Sequence, residues 1–269
     1  MACRQLMKGD DFFQAEPILA RYLSTLESMM KEPSPYQPVA AHLAMQCANF
    51  AGILASHHLA WSANRQCYEH GIQYGQLIED HSLQTTVRVK LASTFFYLTN
   101  PSASPTRALD IYQKTFSFVE GSSPLTRSSF YVKLAGSYAQ DGREQEAREN
   151  LSNGYSCFPA HPENDPAFLY ADFGPSSLIL WEGLTLLELA RCGYARPQEA
   201  WDAFAQIDGA NPKIKTSEAT ERGRAEIINH RAGTAIVMKD LDLFCACLQR
   251  GVEGARQLGS AMPTRYATR

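Results

Sequence analysis

Apolar side chains in this chain recur three and four residues apart, in one segment after another, with turn residues between the segments. The pattern is sharpest around residues 126–159. Tyr131, Leu134, Ala135 and Tyr138 fall on one helical face, the run breaks at Asp141-Gly142, and Ala147, Leu151 and Gly154 follow before Pro159. This spacing predicts two amphipathic helices. The small residues Ala135, Ala147 and Gly154 stand where two helices cross and their backbones approach. Gly142 is free to take the left-handed conformation that ends the first helix, and Pro159 cannot continue the second.

The unit so defined resembles the tetratricopeptide repeat, a helix–turn–helix of about 34 residues. Tyr131 stands at the family's Trp position and Leu134-Ala135 at its Leu-Gly. Tyr138, Ala147, Leu151, Gly154 and Pro159 stand at its Tyr, Ala, Phe, Ala and Pro. The rest of the chain repeats the theme. Ala15, Leu19, Tyr22 and Leu26 make a second-helix face that follows a turn at Gly9-Asp10-Asp11, so 1–31 read as part of a repeat. Hairpins are expected at about 38–78, 82–120, 125–159, 166–210 and 217–258. In the first, Ala48, Gly52 and Ala55 face Asn64, Tyr68 and Gly71; in the second, Leu91, Ala92 and Phe95 face Ala108, Tyr112 and Phe116. Gly183 and Leu186 face Ala200, Phe204 and Ile207, and Ile228, Ala232 and Ala235 face Phe244, Leu248 and Gly251. Asp165-Pro166 is the expected entry to the 166–210 hairpin, with a further helix start at Gly174-Pro175-Ser176-Ser177. The longest alternating Val/Thr run is Thr85–Val89, too short to argue for a sheet. The expected fold is therefore all-α, a right-handed α-solenoid of about five hairpins forming one domain over 1–258. Residues 259–269 are expected to be a disordered tail.

Composition narrows the function classes. Of the 269 residues 45% are hydrophobic and 20% charged, and the net charge of -3 leaves no basic footprint for direct nucleic-acid binding. No run of about 18 apolar residues stands out, so no membrane span is expected. The start, MACRQLMKGDD, lacks the apolar core of a signal peptide. The seven cysteines are irregularly spaced, with Cys47, Cys67 and Cys245 on predicted apolar helix faces. They are expected to be reduced and mostly buried, in a cytoplasmic protein. No cofactor and no metal is expected.

A repeat stack presents a concave surface lined by the first helix of each pair, suited to a peptide or a partner helix. The groove-facing candidates are Asn49, Phe50 and His57, then Lys90, Phe96 and Tyr97, then Lys133 and Gln140. Trp181, Glu188, Asn229 and His230 complete the set, with Asn49 and Asn229 at the same place in their repeats. An Asn side chain carries both a donor and an acceptor, so it can pair with any peptide bond. Lys90 and Lys133 suit carboxylates, and the aromatic residues suit apolar pockets. The competing account makes these ordinary polar residues of solvated helix faces, or core residues shifted by one position.

Nearly the whole chain also resembles the C-terminal repeat region of bacterial helix-turn-helix transcriptional regulators. The segments 47–80, 180–208 and 243–260 carry that likeness. It implies a sensor or interaction region that binds a signal peptide or partner. Residues before 31 have no room for a helix-turn-helix domain, so the chain is expected to be that region alone or a stand-alone relative. The clamp by which chaperone-binding repeats hold a terminal carboxylate is not carried over, because the Asn and Arg that accompany its Lys are missing here. The alternative reading is a homo-oligomerising scaffold that dimerises through an end repeat.

Chemistry is hard to find. No HExxH, GxSxG, phosphate loop or GxGxxG occurs. His57 and His58 are adjacent, and neighbours on a helix point about 100° apart, which does not suit one metal. A non-enzymatic protein is expected.

Overall fold

The computed structural model describes residues 12–97, 104–207 and 221–257. Among them every regular element is helical. In chain order these are α1 (Phe12–Met30), α2 (Gln37–His57), α3 (Trp61–Tyr74), α4 (His81–Phe96), α5 (Ser104–Val119) and α6 (Pro124–Gln140). Then come α7 (Glu144–Cys157), the four-residue α8 (Phe168–Ala171), α9 (Pro175–Arg191), α10 (Pro197–Ala205), α11 (Glu221–Met238) and α12 (Leu241–Gln257). The turn expected at Gly9-Asp10-Asp11 and the tail 259–269 lie outside the described residues.

The chain divides into two compact units. Among the described residues the first holds those up to Phe130 together with Ser156–Asp172; the second holds Tyr131–Tyr155 and those from Phe173 onward. In the first unit α1 packs on α2, α2 on α3, α3 on α4 and α4 on α5. In the second, α9 packs on α10 and α11, α10 on α11, and α11 on α12.

The α1 face that meets the core is Ala15, Leu19 and Leu26, with Leu23 filling the place expected for Tyr22. Tyr22 lies one residue round the helix and is exposed. Crossing points follow the small residues. A Cβ at Gly52 would overlap the Tyr68 ring, and one at Gly183 would overlap the Phe204 ring. In each case the larger side chain fills the space that the glycine leaves.

From Leu83 to Phe96, α4 is buried at every position except Arg88. A helix enclosed on all sides has no polar stripe, so its polar residues must find partners inside. They do: Gln84 donates to the Ile78 carbonyl, Ser93 to that of Val89, and Thr94 to the Asn64 carboxamide oxygen at 2.7 Å. The Ser122 hydroxyl donates to Thr85. The β-branched run Thr85–Val89 is thus helical, because enclosure by neighbouring helices outweighs its local preference for strand.

Several helices end in one way. After α6, Gly142 sits at φ 74, its N–H bonds to the Ala139 carbonyl, and the Arg143 N–H reaches back to Tyr138. Gly193 repeats this after α9, and Leu59 (φ 57) and Lys239 (φ 60) repeat it after α2 and α11 without a glycine. This pair of bonds satisfies carbonyls that a helix end leaves open.

The cysteines correct an expectation. The six described ones are free thiols, but only Cys247 is buried; Cys192 and Cys245 are exposed and the other three are half-buried. Cys247 joins Ile228 and Ala232 in the core between α11 and α12, while Cys245 falls off that face of α12. By length and composition α2 is also apolar enough to cross a membrane. Here its Ala40, Ala41, Ala44, Met45 and Ala48 are buried within the first unit.

Candidate functional site

Two predicted groove residues meet in the first unit, on a segment of the chain itself. α2 and α4 each open a helical pair, and both pack against α8. The segment leading to α8 is shaped by Asp165. Its carboxylate accepts from the Ala167 N–H at 2.8 Å and from the Leu125 N–H at 3.0 Å, which anchors the turn Pro162–Asn164 and starts α8. Asp165-Pro166 therefore caps a separate short turn, and the long helix begins at Pro175 behind Gly174. α8 stops at Asp172, which is left-handed at φ 49, a conformation Asp tolerates better than most residues.

Asn49, completely buried on α2, donates its side-chain N–H to the main-chain carbonyl of Tyr170 at 3.0 Å. Its carboxamide oxygen is buried and has no hydrogen-bond partner among the described residues. Lys90 on α4 places Nζ 3.4 Å from a carboxylate oxygen of Asp172; the lysine side chain is 9% exposed and that of the aspartate 60%. Between these contacts the Tyr170 ring is buried, and its hydroxyl donates to Asp80 at 3.4 Å. Asp80 also pairs with His42 Nε2 at 3.0 Å and accepts from the Leu83 N–H at 2.9 Å as the cap of α4. Burial pushes the Asp80 carboxyl up, but the bonds from His42, Leu83 and Tyr170 outweigh it and hold the group below its ordinary value. The Tyr170 hydroxyl is pushed up, first by burial and then by the Asp80 charge.

Four candidates pair up in the second unit. Lys133 and Trp181 are both buried, with Lys133 Nζ 5.6 Å from the centre of the Trp181 ring and 5.8 Å from that of Phe173. This is cation–π geometry. Glu188 bonds to Arg191, and the nearby His230 stacks on Phe204 with 5.7 Å between ring centres. Burial raises the Glu188 carboxyl, an effect that Arg191 and His230 only partly offset.

The remaining candidates lie apart from these groups. Phe50 packs on the α1 side, against the cluster of Ala15, Leu19 and Leu54. Phe96 is buried, and Tyr97 stacks on Trp61 at 6.3 Å. His57 and Gln140 are half-buried on the last residues of α2 and α6. Asn229 turns its oxygen toward Gly251 of its own helical pair.

Sequence reasoning passed over Tyr170, Asp172, Asp80 and His42. The stretch 166–174 is expected to open the 166–210 hairpin, whereas it forms only the short α8 before the long helix starts at Pro175. The one available signal was Asp80, an N-cap residue type placed just before an apolar helix. Comparison with known proteins adds nothing to this geometry: no protein-family model matches the chain, and no curated protein matches it.

Proposed function

We propose that this chain is a non-enzymatic peptide- or protein-binding module, built as a tetratricopeptide-like α-solenoid and serving as the sensor or interaction region of a bacterial-type transcriptional regulator. The observation that carries the binding reading is the Asn49–Tyr170 and Lys90–Asp172 pair of contacts. Here the first helices of two successive pairs hold a main-chain carbonyl and a carboxylate. Those are the groups that any acidic peptide offers, and Asn and Lys meet them without reference to its other side chains. The Gly52–Tyr68 and Gly183–Phe204 crossings support the repeat reading, since each sets a small residue of a first helix against an aromatic ring of the second. The regulator assignment rests on the sequence resemblance.

The test is a peptide-display selection against the immobilised full chain and against its Tyr170→Ala/Asp172→Ala variant. Enriched peptides whose binding is lost with Asn49→Ala support the reading. No enrichment on either protein overturns it.

One observation favours a second reading, an assembly scaffold. Ile18, Tyr22 and Met29 are exposed at helical spacing along α1, and Tyr36, Val39 and Leu43 are exposed at the start of α2. Native mass spectrometry showing a dimer that Tyr22→Glu dissociates would put this reading first.

A further inference from the structure

The face formed by α2 and α4 is filled, but its fit to the segment that fills it is incomplete. A buried Asn that donates to a carbonyl also presents an acceptor, and the natural complement is an N–H from the same stretch of backbone. In α8 those N–H groups are used internally. The Phe168 N–H bonds to the Asp165 carbonyl, and the Tyr170 and Ala171 N–H groups bond to that of Ala167. The Asn49 oxygen is left without a partner among the described residues, an expensive state for a group at 0% exposure. An extended backbone would not tie up its own N–H groups in this way.

Other features of the segment point in the same direction. The carboxylate that meets Lys90 is mostly in water while the lysine side chain is buried, so the ammonium offers the same place to a carboxylate that arrives from outside. α8 has only four residues, far below the length at which a helix sustains itself. Asp172 leaves it in a left-handed conformation that costs about 1 kcal/mol or more. The segment thus holds the face through a main-chain carbonyl, a tyrosine hydroxyl and a carboxylate, groups that a second peptide can also supply, while its short helix leaves the Asn49 oxygen unmatched.

We propose that this face is a peptide site which the chain keeps filled with its own Asp165–Asp172, and that its external ligand is an extended acidic peptide with a tyrosine followed two residues later by a carboxylate. The order comes from the walls. Asp80 accepts a hydroxyl at one end and Lys90 receives a carboxylate at the other. In an extended strand, residues two apart point to the same side, about 6.6 Å from each other. The inference rests on the binding-module reading above and assigns its site, ligand class and regulation: an incoming peptide must displace the tethered segment.

The probe is a labelled synthetic peptide, DPAFLYADF, the sequence of residues 165–173. Its binding is followed by fluorescence anisotropy on the full wild-type chain and on the full Tyr170→Ala/Asp172→Ala chain. When a closed state dominates, apparent affinity falls by the fraction of open molecules, so the variant is expected to bind about tenfold or more tightly than wild type. Adding Asn49→Ala, or replacing the peptide's tyrosine by alanine, is expected to abolish that gain. Absence of binding to the variant, or equal binding to both proteins, overturns the proposal. The display selection separates this failure from failure of the module reading. A selected peptide that DPAFLYADF does not displace leaves the module standing and removes this face as its site.

Hydrogen exchange on the wild-type chain needs no substitution and tests the proposal independently. The Tyr170 and Ala171 amides are expected to exchange faster than those in the middle of α2 and α4. Protection equal to that of α4 would mark the segment as permanent core and overturn the proposal.

Discussion

Asn49 and Tyr170 are 121 residues apart in the chain, yet the side-chain amide of one donates to the main-chain carbonyl of the other at 3.0 Å. Both partners are buried. Losing such a bond leaves the carbonyl unsatisfied, so Asn49→Ala is expected to destabilise the fold by about 1–3 kcal/mol. Asn229→Ala, at a half-buried position, is expected to change stability by about 0.5 kcal/mol or less. Urea unfolding of the two variants side by side tests this; equal effects would show that the bond to Tyr170 contributes nothing.

Helix ends offer a second test. Leu59 and Lys239 occupy left-handed positions where Gly142 and Gly193 serve after other helices. Glycine takes that conformation without the Cβ penalty, so Lys239→Gly is expected to raise stability by up to about 1 kcal/mol. Gly142→Ala is expected to lower it by a similar amount. Thermal unfolding by circular dichroism reads both signs.

The Gly52 and Gly183 crossings are expected to resist enlargement. Gly52→Ala drives a methyl into the Tyr68 ring and Gly183→Ala into that of Phe204, each costing about 1–3 kcal/mol. Gly174→Ala is the control, because a Cβ there meets nothing within 4 Å. Combining Gly52→Ala with Tyr68→Leu should recover part of the loss. Strict additivity in that double variant would mean that the two residues do not compete for the same space.

Two carboxyls give opposite pH signatures. The folded state lowers the Asp80 value, so its stabilisation is complete above the unfolded value near pH 4 and is lost as pH falls through the lower, folded value. Asp80→Asn should therefore flatten the acid limb of the stability profile below about pH 4. Glu188 is raised, so the folded state prefers the proton there. Its contribution turns unfavourable as pH rises above about 4.3, the ordinary value for Glu. Glu188→Gln is expected to stabilise the protein at neutral pH and to change little in acid. Urea midpoints measured from pH 3 to pH 8 decide both; a Glu188→Gln chain less stable at neutral pH would show that the Arg191 pair outweighs burial.

The all-helical character of this protein is written in its local pattern. Apolar residues three and four apart make helices because one stripe can be buried. Gly142 ends one because only a left-handed residue closes its last carbonyls, and Gly52 and Gly183 mark crossings because only a missing side chain admits a ring. Those rules operate within a few residues or within one helical pair, so the sequence alone determines them. The tertiary structure decided what the polar candidates touch. Asn49 and Lys90 were legible as groups able to hold a carbonyl and a carboxylate, but Tyr170 and Asp172, which they hold, lie in a stretch without periodicity. Bringing 168–172 onto α2 and α4 is a long-range choice, set by Asp165, by the buried Tyr170 ring and by the polar interior of α4. No local spacing records it, because its energy comes from pairing groups whose separation in the chain carries no pattern.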